Sequence, residues 1–269
     1  MNKTKIEWCD YTWSPVTGCL HGCEYCYARR MANRFSMKFT PLIGEFDGRL
    51  YELKDDIMMD LNSPVVENGQ IQPYPAGFAP TFHRYRLDEP QKLKKPSKIF
   101  VCSMADLFGD WVPDEWIQEV FKACQKADWH KYLFLTKNPK RYSAIYRSEL
   151  DYRWNMWFGT TVTDENSFVI KTAELYRKTG EYLPKGKRAN RFLSIEPLTG
   201  EIRKLFLQNS IHHVDWVIIG QQTGPGAVPP KDEWAQNIID QCRVANVPVF
   251  VKRPLYEKFP IQEWPEGLK

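Results

Sequence analysis

Short apolar runs rich in β-forming residues recur from residue 99 onward, at intervals of roughly 24–36 residues, which suits strands joined by crossover helices. The runs span residues 99–102, 132–135, 156–158, 192–195, 216–219 and 249–251. Their nearly continuous apolar character is typical of parallel strands that are buried on both faces. The sequence therefore predicts an α/β fold built on a parallel sheet.

Helical patterns lie between these runs. Asp164 and Asp232 are predicted to open two of the helices, and the segment 113–115 is predicted to begin another. With a first strand near residues 6–13, about seven strands result, one fewer than a closed eight-stranded barrel needs. We expect a single domain over residues 1–269, shaped as a partial (β/α)6-7 barrel.

Residues 40–96 interrupt this rhythm, because they are rich in proline and glycine and show little periodicity. They are predicted to form a long insertion after the first helix. Long insertions in compact domains are often functional, and the aromatic residues Tyr74, Phe78, Phe82 and Tyr85 favour an ordered covering element or lid.

Composition excludes several classes of protein. No apolar run reaches the length of a membrane span, and the polar N-terminus lacks a signal region, so we expect a cytoplasmic protein. The net charge of +4 does not by itself indicate a nucleic-acid-binding protein. Seven cysteines, three of them close together, indicate a metal site rather than a disulfide framework in a reducing compartment.

The crowded cysteines are Cys19, Cys23 and Cys26, with the spacing C-x3-C-x2-C. Three thiolates on one loop can hold three irons of a cubane cluster, which usually takes four cysteines, so that one iron keeps an open position. Gly18 and Gly22 would let the backbone wrap closely around it. A zinc site that adds His21 or a distant ligand stays an alternative, although no second ligand pair follows at zinc-finger spacing. After the last cysteine, Ala28, Met31, Ala32 and Phe35 recur at helical spacing.

The cysteine motif, with the aromatic Tyr25 directly before its last cysteine, resembles the signature of the radical SAM (S-adenosylmethionine) superfamily. The whole chain also resembles a phage-associated family of uncharacterised function. That second resemblance rests on the segments 6–8, 13–19, 86–90, 95–96, 103–108, 135–139, 192–198 and 216–220. Between its first two cysteines this chain has the shorter gap of the superfamily, where many members of the phage-associated family have a longer one.

The resemblance implies a radical SAM enzyme with a partial barrel of that type and a 4Fe–4S cluster held by Cys19, Cys23 and Cys26. SAM would chelate the open iron, and the reduced cluster would cleave it to a 5′-deoxyadenosyl radical that takes hydrogen from a substrate. The substrate is not specified, and a nucleic acid or nucleoside that is modified or repaired is our leading hypothesis. An external electron donor such as a flavodoxin or ferredoxin is expected.

The cofactor site should be built from the loops that follow the strands. The expected cofactor-binding residues are Tyr25, Ser103, Asp106, Lys137, Thr160, Thr161, Asn166, Glu196, Gly220 and Gln221. Cys102, at the end of a predicted strand, is a candidate hydrogen-atom donor that faces the pocket. Lys252 and Arg253 follow the last strand and could meet an anionic substrate.

Two other functions compete with this hypothesis. The first is a non-catalytic regulatory or interaction protein whose iron–sulfur cluster or zinc ion is structural. The second is a methyltransferase that uses SAM without radicals, which ranks last because it has no need of three clustered cysteines.

Overall fold

The secondary structure comes from a computed structural model that describes residues 1–35, 47–53, 56–147, 155–180, 189–205 and 214–269. The strands are β1 (Asn2–Lys3), β2 (Tyr11–Trp13), β3 (Val16–Thr17), β4 (Gly48–Leu53), β5 (Asp56–Leu61), β6 (Val66–Glu67), β7 (Gln70–Ile71), β8 (Thr81–His83), β9 (Lys98–Val101), β10 (Lys131–Thr136), β11 (Met156–Val162), β12 (Asn190–Ile195), β13 (Trp216–Ile219) and β14 (Val249–Val251). The α-helices are α1 (Tyr27–Phe35), α2 (Glu89–Lys92), α3 (Asp114–Lys126), α4 (Glu165–Gly180) and α5 (Asp232–Val244). Short 3-10 helices span Arg84–Arg86, Pro139–Arg147, Leu255–Glu257 and Glu266–Leu268.

The main sheet has eight strands in the order β1-β2-β9-β10-β11-β12-β13-β14. β1 is antiparallel to β2, and every other neighbouring pair is parallel. Each of the six apolar runs lies in one of these parallel strands, as predicted. The first predicted strand, over 6–13, is shorter than expected and is formed only by Tyr11–Trp13.

This sheet is curved. The Trp8 ring lies 4.6 Å from the ring of Phe100 on β9 and 6.5 Å from the ring of Trp216 on β13. In a flat sheet those two strands would be about 19 Å apart, at about 4.8 Å per strand, so one indole could not contact both. Among the described residues β1 and β14 do not pair, so the sheet is curved but open. Its assignment to the radical SAM type of partial barrel stays a prediction.

The outer face of the sheet is covered by α3, α4 and α5, whose apolar residues share one core with the strands. Phe121 of α3 stacks on Phe134 of β10 at 4.6 Å. The helices begin close to the predicted residues, and Asp164 caps α4 by accepting the N–H of Ser167 at 2.8 Å. All three helices therefore lie on the same side of the sheet, and the other, inner face is covered by aromatic side chains.

The segment 40–96, predicted as an insertion with little periodicity, contributes β-structure where the structure describes it; residues 40–46 and 54–55 lie outside that part. A four-stranded sheet has the order β3-β8-β5-β4, and β6 pairs with β7. Phe82 of β8 is buried and stacks on Trp116 at 5.2 Å, which ties this small sheet to the main core. The sequence shows little strand periodicity here because these strands are short and because β3, which pairs with β8, lies outside the segment.

No helix within the described ranges combines the length and the apolar character that crossing a membrane requires.

Candidate functional site

A cavity of about 310 Å³ lies where the parallel strands of the main sheet end. Its wall includes Ser103, Lys137, Thr161, Glu196, Gln221 and Lys252, each at or just beyond the carboxyl end of a different strand. The loop with the three cysteines, between β3 and α1, completes the wall. Ligand sites of parallel α/β proteins occur at this edge of the sheet.

Most of the side chains predicted from the sequence meet in this cavity. They are Cys19, Cys23, Tyr25, Cys26, Ser103, Asp106, Lys137, Thr161, Glu196 and Gln221. Segments far apart in the sequence thus converge on one cavity, as the predicted strand ends require.

Four predicted residues do not line the cavity. Cys102 was expected to face it, but its left-handed backbone (φ 58°) breaks the strand alternation, and the thiol is buried in the core on the outer face. Thr160 is also buried, and its hydroxyl donates to the carbonyl of Thr136 at 3.0 Å. Asn166 is exposed in the first turn of α4. Gly220 lies against the side chain of Glu196, which itself lines the cavity.

The cysteine loop is fixed from two sides. The N–H of Gly18 donates to the carbonyl of Met104, which follows β9, at 2.9 Å, and the N–H of Cys19 donates to Phe78 of the insertion at 3.1 Å. Gly18 has φ 84°, and an added Cβ would lie 2.2 Å from the carbonyl oxygen of Ala79. Only glycine allows this close approach, so the insertion holds the loop directly.

The three loop cysteines are free thiols, each partly exposed. The Sγ of Cys26 accepts the N–H of Arg29 at 3.3 Å. Burial raises the pKa of Cys19 to about 12, and the nearby charges of Asp106, Cys26 and Cys23 act in the same direction.

No group of three His, Cys, Asp or Glu side chains in the described ranges lies close enough together to hold one metal ion. A single ion needs all its ligands at one point, with each sulfur at about 2.3 Å from zinc. The ligands of a cubane cluster lie farther apart than those of a single ion, because each thiolate binds a different iron.

Asp106 is a buried junction between three segments. One oxygen accepts from Thr136 Oγ1 at 2.7 Å and from the N–H of Phe108 at 3.0 Å; the other accepts from His21 Nε2 at 2.7 Å and from the N–H of Lys137 at 2.9 Å. Burial alone would raise the pKa of Asp106, but His21, Thr136 and Lys137 outweigh it and hold the pKa below its usual range. Because both oxygens accept hydrogen bonds, Asp106 positions the cysteine loop, and its predicted role in binding the cofactor stays a prediction.

Glu196 and Lys252 form an ion pair at the opposite wall. The ammonium donates to both carboxylate oxygens, at 2.5 Å to Oε2. An added Cβ at Gly220 would lie 2.9 Å from the Glu196 carboxyl carbon, so glycine leaves room for the pair. Lys252 is fixed in turn, since its N–H donates to Ile219 at 2.9 Å. The pair offers a ligand both a donor and an acceptor.

Several cavity residues were not among the predicted ones, and three of them are aromatic side chains next to the predicted positions. Trp8 and Phe100 form an apolar part of the wall, and Tyr27 donates its hydroxyl to the carbonyl of Ser103 at 2.8 Å. Phe100 lies in a run that is apolar on both faces, so the sequence could not show which side faces inward. Tyr27 directly follows Cys26 in the sequence, so its place at the cavity could have been predicted from the cysteine motif.

A family model described as a protein of unknown function, DUF5131, matches residues 3–255. The chain belongs to this family. The DUF5131 match includes the cysteine loop and every parallel strand of the main sheet. Neither a search of curated proteins nor a search of solved structures finds a match.

Proposed function

We propose that this DUF5131 protein is a radical SAM enzyme that binds a 4Fe–4S cluster through Cys19, Cys23 and Cys26 and acts on a substrate at the same cavity. One observation supports this proposal most directly. The three thiols line one open cavity together with the polar strand ends. The spacing of the motif supplies three ligands, and a cubane with three protein ligands keeps an open iron.

The residues present fit such a cluster. The three thiols form no disulfide and are partly exposed, and all three line the same cavity. When bound and reduced, the cluster supplies the electron that cleaves SAM to the 5′-deoxyadenosyl radical. The chain itself would bind and orient the reactants.

Polar groups for SAM and substrate project from the strand ends. Ser103 and Gln221 offer a hydroxyl and an amide, and Lys137 offers a cation whose Nζ lies 5.8 Å from the ring of Tyr25. The Glu196–Lys252 pair can accept and donate hydrogen bonds without adding net charge. The aromatic wall of Trp8 and Phe100 keeps water from that side, which a radical reaction needs.

A structural zinc site of three cysteines and His21 is the second candidate. One observation favours it: the hydrogen bond from His21 to Asp106 is the arrangement that orients metal-binding histidines in many proteins. Against it, no set of three ligands among the described residues converges on one point.

The deciding experiment is anaerobic reconstitution with iron and sulfide, followed by reduction in the presence of SAM. We expect a brown protein that releases 5′-deoxyadenosine. Cys23→Ala should lose iron and cleavage together, because it removes one of the three thiolate ligands, whereas Cys242→Ala, a buried cysteine of α5, serves as the matched control. Zinc in place of iron, or a cluster that leaves SAM intact, would contradict the proposal.

A further inference from the structure

Helix α1, which directly follows the cysteine loop, has an inverted distribution of apolar residues. It buries the small Ala28 and Ala32, whereas Tyr27, Met31 and Phe35 are 47%, 43% and 55% exposed. Folding normally places the larger apolar side chains inside, so the stability of this chain does not explain their exposure.

The same exposed side is cationic. The helix contains Arg29, Arg30 and Arg34 and no acidic residue. Arg29 is engaged with the carbonyl of Cys19 and the ring of Phe78. Arg30 and Arg34 are exposed, and the guanidinium of Arg34 lies 5.6 Å from the ring of Phe35 on the same surface. Within the ranges that the structure describes, neither of these two arginines forms an ion pair with a carboxylate.

This surface leads into the cavity. Tyr27 belongs to both, since it lines the cavity and is half exposed. The guanidinium of Arg30 lies against Gly224, just beyond the stretch 221–223 that forms part of the cavity wall. Across the mouth, Arg253 lines the cavity with its side chain 66% exposed; its Nε lies 3.6 Å from Glu7 Oε1, an ion pair that leaves most of the guanidinium open to solvent. Cations therefore stand on two sides of the opening.

We propose that Tyr27, Arg30, Met31, Arg34, Phe35 and Arg253, here called the rim surface, bind a single-stranded nucleic acid whose nucleotide enters the cavity as the substrate. This inference rests on the proposed function and names its substrate class. Surfaces that bind single strands combine cations for the phosphates with aromatic side chains on which bases stack. An acidic protein or an anionic membrane would use the cations, but neither needs aromatic rings that continue from the surface into a cavity.

The test measures binding of a fluorescein-labelled single-stranded DNA or RNA of about 12 nucleotides to the reconstituted protein by anisotropy, at several salt concentrations. The double variant R30Q/R34Q should bind about tenfold more weakly, and the slope of log K against log salt should fall by about 1.4, or about 0.7 per lost phosphate contact. The matched control is K122Q/K126Q, which removes two exposed cations at the same spacing from α3.

A second variant separates stacking from charge. Phe35→Ala leaves every charge in place and should weaken binding about fivefold or more with an unchanged salt slope. Equal affinities for wild type, R30Q/R34Q and K122Q/K126Q would overturn the inference. So would polyglutamate or anionic phospholipid vesicles that compete with the labelled strand as well as unlabelled strand does.

The proposed function and the inference about the substrate can each be contradicted without the other. SAM cleavage by the wild type without nucleic acid decides the radical SAM proposal alone. Oligonucleotide binding that is lost in R30Q/R34Q and retained in K122Q/K126Q supports the rim surface whatever the cleavage result. Cleavage of SAM by a protein that binds no strand would overturn only the inference about the substrate.

Discussion

At the scale of single residues, Asp106 shows how one buried carboxylate organises a site. Its four hydrogen bonds join the cysteine loop, the turn after β9 and the end of β10. The sequence placed Asp106 at the site correctly, because strand ends converge. It could not show that both oxygens are already occupied, since that depends on contacts with His21 and Thr136 that are distant in sequence.

Asp106→Asn should lower the free energy of unfolding by about 3 kcal/mol near neutral pH, because the charge-assisted hydrogen bonds are lost in a buried position. The pKa of Asp106 is lowered in the folded protein, so its contribution is present above the unfolded value and is lost as pH falls through the folded value. The difference between wild type and variant should therefore shrink below about pH 4 in urea titrations.

Asp232→Asn is the control for this experiment. Asp232 is exposed and pairs with Lys258 at 2.7 Å, and exposed ion pairs contribute little. A constant difference between wild type and Asp106→Asn across the acid range would contradict the hydrogen-bonding role of the ionised carboxylate.

At the scale of elements, the sequence predicted the parallel strands well, because each is a continuous apolar run with its own boundary residues. It predicted α1 as a helix but not which face is buried: the spacing grouped Met31 and Phe35 with the alanines, whereas the structure exposes both. The neighbours of α1 decide this, since Phe78 and Met104 pack against Ala28 and Ala32 and leave space only for small side chains. Such a choice is made by tertiary contacts and has no local signal.

The junction between the cysteine loop and the insertion gives a prediction at this scale. Gly18→Ala should destabilise the protein more than Gly22→Ala does. Both positions have positive φ, which costs a residue with a Cβ about 1–2 kcal/mol, but only at Gly18 does the new Cβ meet backbone, at 2.2 Å from Ala79. Gly22 has open space within 4 Å of the added atom.

The measurement compares the free energy of unfolding and the iron content of the two variants after reconstitution. Gly22→Ala isolates the cost of the backbone conformation, so the excess loss in Gly18→Ala reports on the contact with the insertion. Equal losses would show that the insertion does not hold the loop.

At the scale of the whole molecule, curvature brings the two ends of the sheet together. The N-terminal Glu7 accepts the N–H of Arg253 at 2.9 Å and the side-chain amide of Gln262 at 3.2 Å, while Lys98 of β9 lies over the ring of Trp264 at 4.7 Å. These contacts join residues from opposite ends of the chain. The sequence indicated a sheet with too few strands to close, but the segments that bridge its edges are irregular and carry no periodicity that could predict them.

Trp8 is the side chain on which this curvature depends, because its ring contacts β9, β12 and β13 at once. Trp8→Ala should lower the free energy of unfolding by about 3–5 kcal/mol, as expected when a buried aromatic ring leaves a cavity. Under the proposed radical SAM function it should also reduce the affinity for SAM, measured by calorimetry, because Trp8 forms part of the cavity wall. The control is Trp234→Ala on α5, a partly buried residue away from the cavity, which should lose less stability and no affinity. Equal losses of stability and of SAM affinity in the two tryptophan variants would contradict the role of Trp8 in the cavity wall.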